Sequence, residues 1–395
     1  MKHQLRLSAL GMVNVLGQNP TEIYDKLINL DRSVITQNFK IGMDKITSLA
    51  AIRVDLNPLT EFPDYDCHNN RIAAIALESI FEPIKKAIDL YGPAKIGVVM
   101  GTSTSGVQAT TDALRYFDLK GAFPENFHYR QHEINGLADF IAKKTGAQGP
   151  CYSVSTACSS SAKVFGSARS LLELGACEAV ILGGCDSLCD LTIQGFSSLD
   201  ALCRGDCLPF SGNRDGLMLG EGAAIFLLEK KSGGVQLMGV GESQDAHHVS
   251  APHPEGRGAT AAMKEALLDA GLLPKQIDYL NPHGTGTFLN DQMEAWAIKK
   301  LFDFPLPLSS TKSLTGHCLG AAGAIEAGIL WLVLSQRFEK RLPPHFWDGQ
   351  KDPELPELNL IEEPICLPDN QELYFQSNSF AFGGNNTSIV LGLRD

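Results

Sequence analysis

Ser155-Thr156-Ala157-Cys158-Ser159-Ser160-Ser161 is the stretch from which the rest of the chain is read. A thiol stands among small residues, at the head of a helical pattern running from Ser159 to Leu174, with Gly175 as its natural C′ residue. Backbone N–H groups and the positive end of a helix dipole face such a position, which is expected to lower the thiol pKa and to supply oxyanion donors. An isolated free Cys is more often buried and inert. Two later segments reverse that reading: Asn281-Pro282-His283-Gly284-Thr285-Gly286-Thr287 and Lys312-Ser313-Leu314-Thr315-Gly316-His317. A thiolate beside two imidazoles that steady an oxyanion points to thioester and acyl chemistry.

Working outward, apolar runs alternate with helical patterns, which predicts α/β. Ala94–Met100, Ala179–Gly183, Ala223–Leu228, Val235–Val240 and Thr387–Leu393 read as strands. Ala259–Ala270 and Asp291–Phe302 read as helices, and Lys312–Gln336 as a loop and long helix. Ile277–Thr287 reads as strand and loop, and Pro343–Pro368 as an extended surface loop. At 395 residues the chain exceeds the size of one growing core. The style restarts near residue 232, so two halves are expected: 1–232 carrying the Cys, and 233–395 carrying both His.

Composition is that of an ordinary globular protein, 44% hydrophobic and 20% charged. A net charge of −12 argues against a general nucleic-acid binder. Lys2, Arg6 and Leu7–Leu16 faintly suggest a leader, but Gly11 and Asn14 interrupt it and no cleavage site follows, so a first strand is expected. The ten Cys lack the spacing of a disulfide framework, which fits a reducing cytoplasm. Leu319–Leu334 is short for a span and contains Glu326, so a buried core helix is expected there and no membrane span. Glu372-Leu373-Tyr374-Phe375-Gln376-Ser377 resembles an engineered protease site, yet it leads coherently into a glycine turn and is read as native. Cys185-x3-Cys189 and Cys203-x3-Cys207 superficially suggest zinc, but the segment between is apolar and lacks knuckle glycines, so no metal is expected.

The glycines after His283 let backbone approach a ligand, and Thr285 and Thr287 offer hydroxyls to an amide-bearing chain. Lys312, five residues before His317, favours neutral imidazole. Asp291 and Glu294 open a helix, where carboxylates suit the dipole. Phe380-Ala381-Phe382-Gly383-Gly384-Asn385 is a glycine turn between aromatics, suited to a gate with a backbone N–H aimed at a reacting oxygen. His247, His248 and His253 read as loop residues.

Together these motifs, in this order and nearly end to end, resemble the β-ketoacyl-acyl-carrier-protein synthase family, more narrowly its elongating types I and II. The resemblance implies a thiolase fold, two similar βα halves in five αβαβα layers, usually a dimer. It implies that Cys158 accepts the acyl chain and that His283 and His317 bind the malonyl thioester and stabilise its enolate. Lys312 would support His317, and Glu294 would act near the site. The amides of Cys158 and Phe382 would form the oxyanion hole, with Phe382 as gate. Thr285 and Thr287 would touch the phosphopantetheine arm, and Phe380 and Thr104 would line the substrate. No cofactor is implied beyond the phosphopantetheine of the acyl carrier protein. Departures are Leu208-Pro209-Phe210-Ser211 where the family has Arg-Pro-Phe-Asp, and Thr104 where a bulkier residue is common. Arg71 and Arg130 are weak candidates for a carrier-protein patch. Cys158 through Asp186-Ser187-Leu188-Cys189 more softly resembles ketosynthases of aryl polyene and related polyketide clusters, whose partner is a chain-length-factor subunit.

A thiolase would need a second catalytic Cys in a glycine-rich C-terminal motif, and the late Cys366 lies in Ile-Cys-Leu-Pro instead. A type III synthase would show Cys-His-Asn. The alternative from another class is a chain-length-factor-like subunit acting mainly as a binding partner. Such subunits typically lack the Cys that this chain keeps.

Overall fold

The computed structural model describes residues 4–41, 45–335, 340–368 and 372–394. Lys2 and the expected helix end at Gln336 lie outside the described residues. Among the described residues the main sheet has eleven strands: β1 (Arg6–Asn14), β2 (Ile96–Gly101), β3 (Cys151–Val154), β4 (Ala179–Asp186), β5 (Gly222–Glu229), β6 (Gly234–Gln244), β7 (Tyr279–Asn281), β8 (Pro307–Leu308), β9 (Asn359–Leu360), β10 (Leu373–Phe380) and β11 (Asn385–Arg394). Their order is β9-β8-β7-β10-β11-β6-β1-β5-β4-β2-β3. The two halves meet at a single registered pair, Arg6 with Gln236.

Five strands of each half correspond, and β9 adds an edge strand to the second. In the first, β2 is parallel to β3 and β4, while β5 is antiparallel to β4 and β1. In the second, β7 is parallel to β8 and β10, while β11 is antiparallel to β10 and β6. Each half-sheet is covered on both faces, which explains strands that read as continuous apolar runs. In β5, Ala224, Phe226 and Leu228 face the inner layer while Ala223, Ile225 and Leu227 face outward.

The helices named here are α1 (His68–Glu78), α2 (Phe81–Tyr91), α3 (Gly136–Thr145), α4 (Ser160–Glu173), α5 (Arg257–Ala270), α6 (Phe288–Leu301) and α7 (Ala322–Leu334). α1, α2 and α3 cover the outer face of the first half-sheet, and α5 and α6 that of the second. Between the half-sheets α4 packs on α7, completing the five layers expected. Gly323 permits that approach, since a Cβ there would lie 2.8 Å from the Ala162 backbone nitrogen. Every residue of α7 is buried, and no helix among the described residues is long and apolar enough to cross a membrane.

Within the expected loop and long helix, the loop holds a short helix, Lys312–Thr315, that stops at Gly316, where φ is 69°, and α7 begins only at Ala322. Gly316 takes a left-handed backbone that favours glycine, and the break leaves His317 in a turn. Pro343–Pro368 is not wholly a surface loop, for it contributes β9 and buries His345. The protease-site lookalike, read as native, is the buried strand β10, paired on both sides.

Candidate active site

The turn between β3 and α4 presents Cys158. Ala157 takes a left-handed backbone, φ 52°, and the Ser160 N–H and hydroxyl both donate to its carbonyl oxygen. This sharp elbow places a buried thiol at the entry to α4. The backbone N–H groups of Phe382 and Cys158 face the sulfur and pull its pKa down.

His283 follows β7 and His317 follows the break at Gly316. His317 Nε2 lies 3.0 Å from Cys158 Sγ. The two imidazoles stand edge to face with centroids 5.2 Å apart. One ligand-type atom from each of Cys158, His283 and His317 lies within 4.8 Å of the others. Among the described residues no other group of three His, Cys, Asp or Glu side chains has metal-ligating proximity. Cys185, Cys203 and Cys207 each direct their sulfur at a backbone carbonyl, those of Asn69, Gly205 and Thr285.

Burial dominates the electrostatics. It pushes the Cys158 thiol up to about 12, against the lowering pull of Lys312 and the two amides. The expected lowering by the helix dipole is therefore overturned: excluding water disfavours the thiolate more than the dipole favours it. Burial, then Lys312, hold His283 well below the usual imidazole value, and the same two causes act on His317. Both rings are therefore neutral, able to accept a proton at one nitrogen and donate from the other.

Lys312 is buried and touches His283, not the expected His317. Its Nζ donates to the His283 carbonyl and pairs with Glu326. The Glu294 carboxylate accepts from the N–H groups of His283 and Gly284, both at 2.7 Å. The His283 peptide is thus held at its N–H by an acid and at its C=O by a cation. Burial pushes Glu294 up to about 7, against the pull of those amides. Asp291 accepts from the N–H groups of Phe210, Thr285 and Gly286, tying the Leu208–Ser211 segment to the His283 loop.

Glu326 was missed as a site residue, although a lone carboxylate in an apolar helix must find a partner. That signal stood in the sequence. Asn378, which donates to Glu294 at 3.3 Å, carried no such signal.

The thiol opens into a cavity of about 350 Å³, lined by Cys158, His283, His317, Thr285, Thr287, Phe196, Phe288, Phe380 and Phe382. Phe382 is 37% exposed at its rim and packs on Phe196, centroids 5.7 Å apart. The next residue, Gly383, donates its N–H to the Val249 carbonyl. The Thr285 and Thr287 hydroxyls meet at 2.8 Å. Thr104 does not line this cavity; its hydroxyl donates to Asp186 at 2.8 Å. Arg71 is bound by Asp66, and Arg130 lies over Tyr65 and 3.8 Å from Asp64, so neither forms a basic patch. Cys366 is exposed and outside the cavity.

Sequence profiles for the β-ketoacyl synthase N-terminal and C-terminal domains match residues 72–233 and 235–345. The chain is 32% identical to a 3-oxoacyl-[acyl-carrier-protein] synthase 2 of Staphylococcus aureus, covering 88% of this chain and 93% of that one. It is 33% identical to the enzyme of the same name from Synechocystis sp., covering 83% and 81%. Among solved structures it resembles a ketosynthase (ApeO) in complex with its chain length factor (ApeC) from Xenorhabdus doucetiae, at TM-score 0.93 and 39% identity over 99% of this chain and 98% of that one.

Proposed function

The chain belongs to the β-ketoacyl synthase family, and we propose that it condenses a Cys158-bound acyl chain with malonyl-acyl carrier protein, releasing CO2 and giving β-ketoacyl-acyl carrier protein. The observation that carries this is the buried thiol 3.0 Å from a neutral imidazole nitrogen, with a second imidazole beside it.

In the loading step the thiol proton passes to His317 Nε2 as the sulfur attacks the acyl thioester. The amides of Cys158 and Phe382 hold the oxyanion. Collapse expels the phosphopantetheine thiolate, which takes the proton from His317. A thiol held near 12 is inert at rest and is deprotonated only as it attacks, which suits a buried nucleophile.

In the second step the malonyl thioester carbonyl accepts hydrogen bonds from the two imidazoles. The bond to the carboxylate breaks, CO2 leaves, and the enolate carbon attacks the acyl-Cys158 carbonyl. The resulting oxyanion occupies the same amide pair, and its collapse expels the Cys158 thiolate, which takes up a proton from water to restore the thiol. Neutral imidazoles stabilise the enolate by hydrogen bonding without protonating it. Lys312 and Glu294 act through the His283 peptide, Phe380 and the two Thr shape the passage, and Phe382 gates it. Imidazoles and amides supply every donor this chemistry needs, so no metal or redox cofactor is invoked.

The acyl carrier protein is the substrate-bearing partner, and the reaction serves fatty acid or polyketide elongation. The likeness to a ketosynthase complexed with its chain length factor favours a heterodimer with such a subunit, and the resemblance of Cys158 through Cys189 to aryl polyene ketosynthases favours a polyketide pathway of that kind. β3 lies at the free edge of the sheet, and Leu114, Phe117, Leu119 and Phe123 are exposed apolar residues suited to a second subunit. The ten free cysteines suit a cytoplasmic location.

The test is intact-mass spectrometry after incubation with saturated, unsaturated and aryl-primed acyl carrier proteins, followed by peptide mapping. An adduct on Cys158 supports the assignment and its ranking identifies the pathway. Condensation retained by Cys158→Ala would sink it.

A further inference from the structure

Asp186 ends β4 with its carboxylate fully buried, and no step above uses it. It gathers the loop after β2. Its Oδ1 accepts from the Thr102 hydroxyl at 2.6 Å and from the Thr104 N–H and hydroxyl, both at 2.8 Å. The Ser103 N–H reaches both carboxylate oxygens, at 2.8 and 3.0 Å. Held this way, Ser103 Oγ donates to the Ala157 carbonyl at 3.1 Å. Ala157 is the left-handed residue that turns Cys158 into the site.

The same carboxylate also meets the His317 loop. A Cβ on Gly320 would lie 2.7 Å from Asp186 Oδ2 and 2.5 Å from Ser103 Oγ. The turn after His317 therefore packs closely against the carboxylate that holds the Cys loop.

We propose that Asp186 is a positioning residue for the nucleophile, fixing the Thr102–Thr104 loop so that the Ser103 hydroxyl holds the elbow that presents Cys158 to His317. The inference rests on Cys158 being the nucleophile. The anchor's charge also raises the thiol, a smaller effect than burial or the opposing pull of Lys312. Asp186 thus adds to the burial that keeps the resting thiol protonated while aiming it at its base.

The experiment compares two rates on protein whose fold is checked by circular dichroism: Cys158 alkylation by iodoacetamide at about pH 8, where a thiol with its ordinary pKa of about 8.5 would already be partly ionised, and acyl transfer from acyl carrier protein per titratable thiol. Ser103→Ala removes the link and leaves the charge. It should alkylate at the wild-type rate yet lower the kcat of transfer about 3- to 10-fold, the worth of one hydrogen bond, with KM unmoved because Ser103 does not line the cavity. Asp186→Asn removes the charge, so alkylation should quicken while transfer slows about tenfold or more. The double variant should transfer no more slowly than Asp186→Asn, since both act through one link.

Wild-type transfer by Ser103→Ala, losses that multiply in the double variant, or Asp186→Asn slowing both rates alike would overturn the proposal. If Asp186→Asn does not fold, Ser103→Ala decides by the same criterion. A wild-type protein that alkylates at Cys158 but never accepts an acyl group would sink the condensing-enzyme reading instead, and alkylation alone would show it.

Discussion

At the scale of single residues, the site depends on rings kept neutral and a thiol kept protonated by exclusion of water. His283→Ala and His317→Ala should both still load some acyl chain on Cys158 but lose condensation by about 10²- to 10³-fold, the usual worth of an oxyanion donor. Loading should suffer more in His317→Ala, because His317 faces the sulfur. Rapid-quench measurement of acyl adduct and of CO2 release separates the two steps, and wild-type CO2 release by either variant would remove its enolate role.

His345 offers a second test at this scale. Its Nδ1 accepts from the Ser310 N–H at 3.1 Å and its Nε2 donates to the Pro209 carbonyl at 3.0 Å. Protonation would set one N–H against another, and burial holds the ring down to about 4. A depressed folded-state pKa gives stability that is present above the unfolded value near 6.5 and lost as pH falls toward 4. The loss should be about 2 kcal/mol between about pH 7.5 and about pH 5. Urea titrations at both pH values should show that increment shrinking in His345→Gln. An unchanged increment would mean the ring is already charged.

At the scale of elements, the interruption between Thr315 and α7 is what makes the His motif functional. A continuous helix would carry His317 round a regular turn; Gly316 and the left-handed Leu319, φ 46°, turn it into the cavity instead. Gly316→Ala would strain the backbone and press a Cβ to within 2.7 Å of Ala50 Cβ, destabilising the fold by about 1–3 kcal/mol. Calorimetry showing an unchanged melting temperature would contradict that geometry. The other inter-element tie is the ion pair of Lys312 with Glu326 of α7. Lys312→Met leaves a buried carboxylate unpaired and should lose about 3–5 kcal/mol, much of it recovered in Lys312→Met with Glu326→Leu. Activity should not recover with stability, because the His283 carbonyl has still lost its cation.

For the whole molecule, two matching halves bring a Cys from one and two His from the other to a shared face, with α4 and α7 stacked between the half-sheets. The proposed association with a second subunit belongs to this scale. Leu119, 81% exposed, should be covered in that complex. Leu119→Asp should then lower the mass measured by light scattering while leaving the melting temperature unmoved; an unchanged mass would place the interface elsewhere.

The sequence by itself determined the α/β alternation and the reactive set. Apolar strands covered on both faces, and glycine-flanked Cys and His motifs, are local signals carried by residue type and spacing. It could not show β10 as a strand, because Gln376, Ser377 and Asn378 read as polar surface until tertiary partners satisfy them: Gln376 on Met263 and Ser388, Asn378 on Glu294 and Ser388. It also could not show that Lys312 serves His283, that Thr104 serves Asp186, or that the thiol rises instead of falling. Those depend on distances across the chain and on how completely water is excluded, quantities that exist only once the two halves have closed on each other.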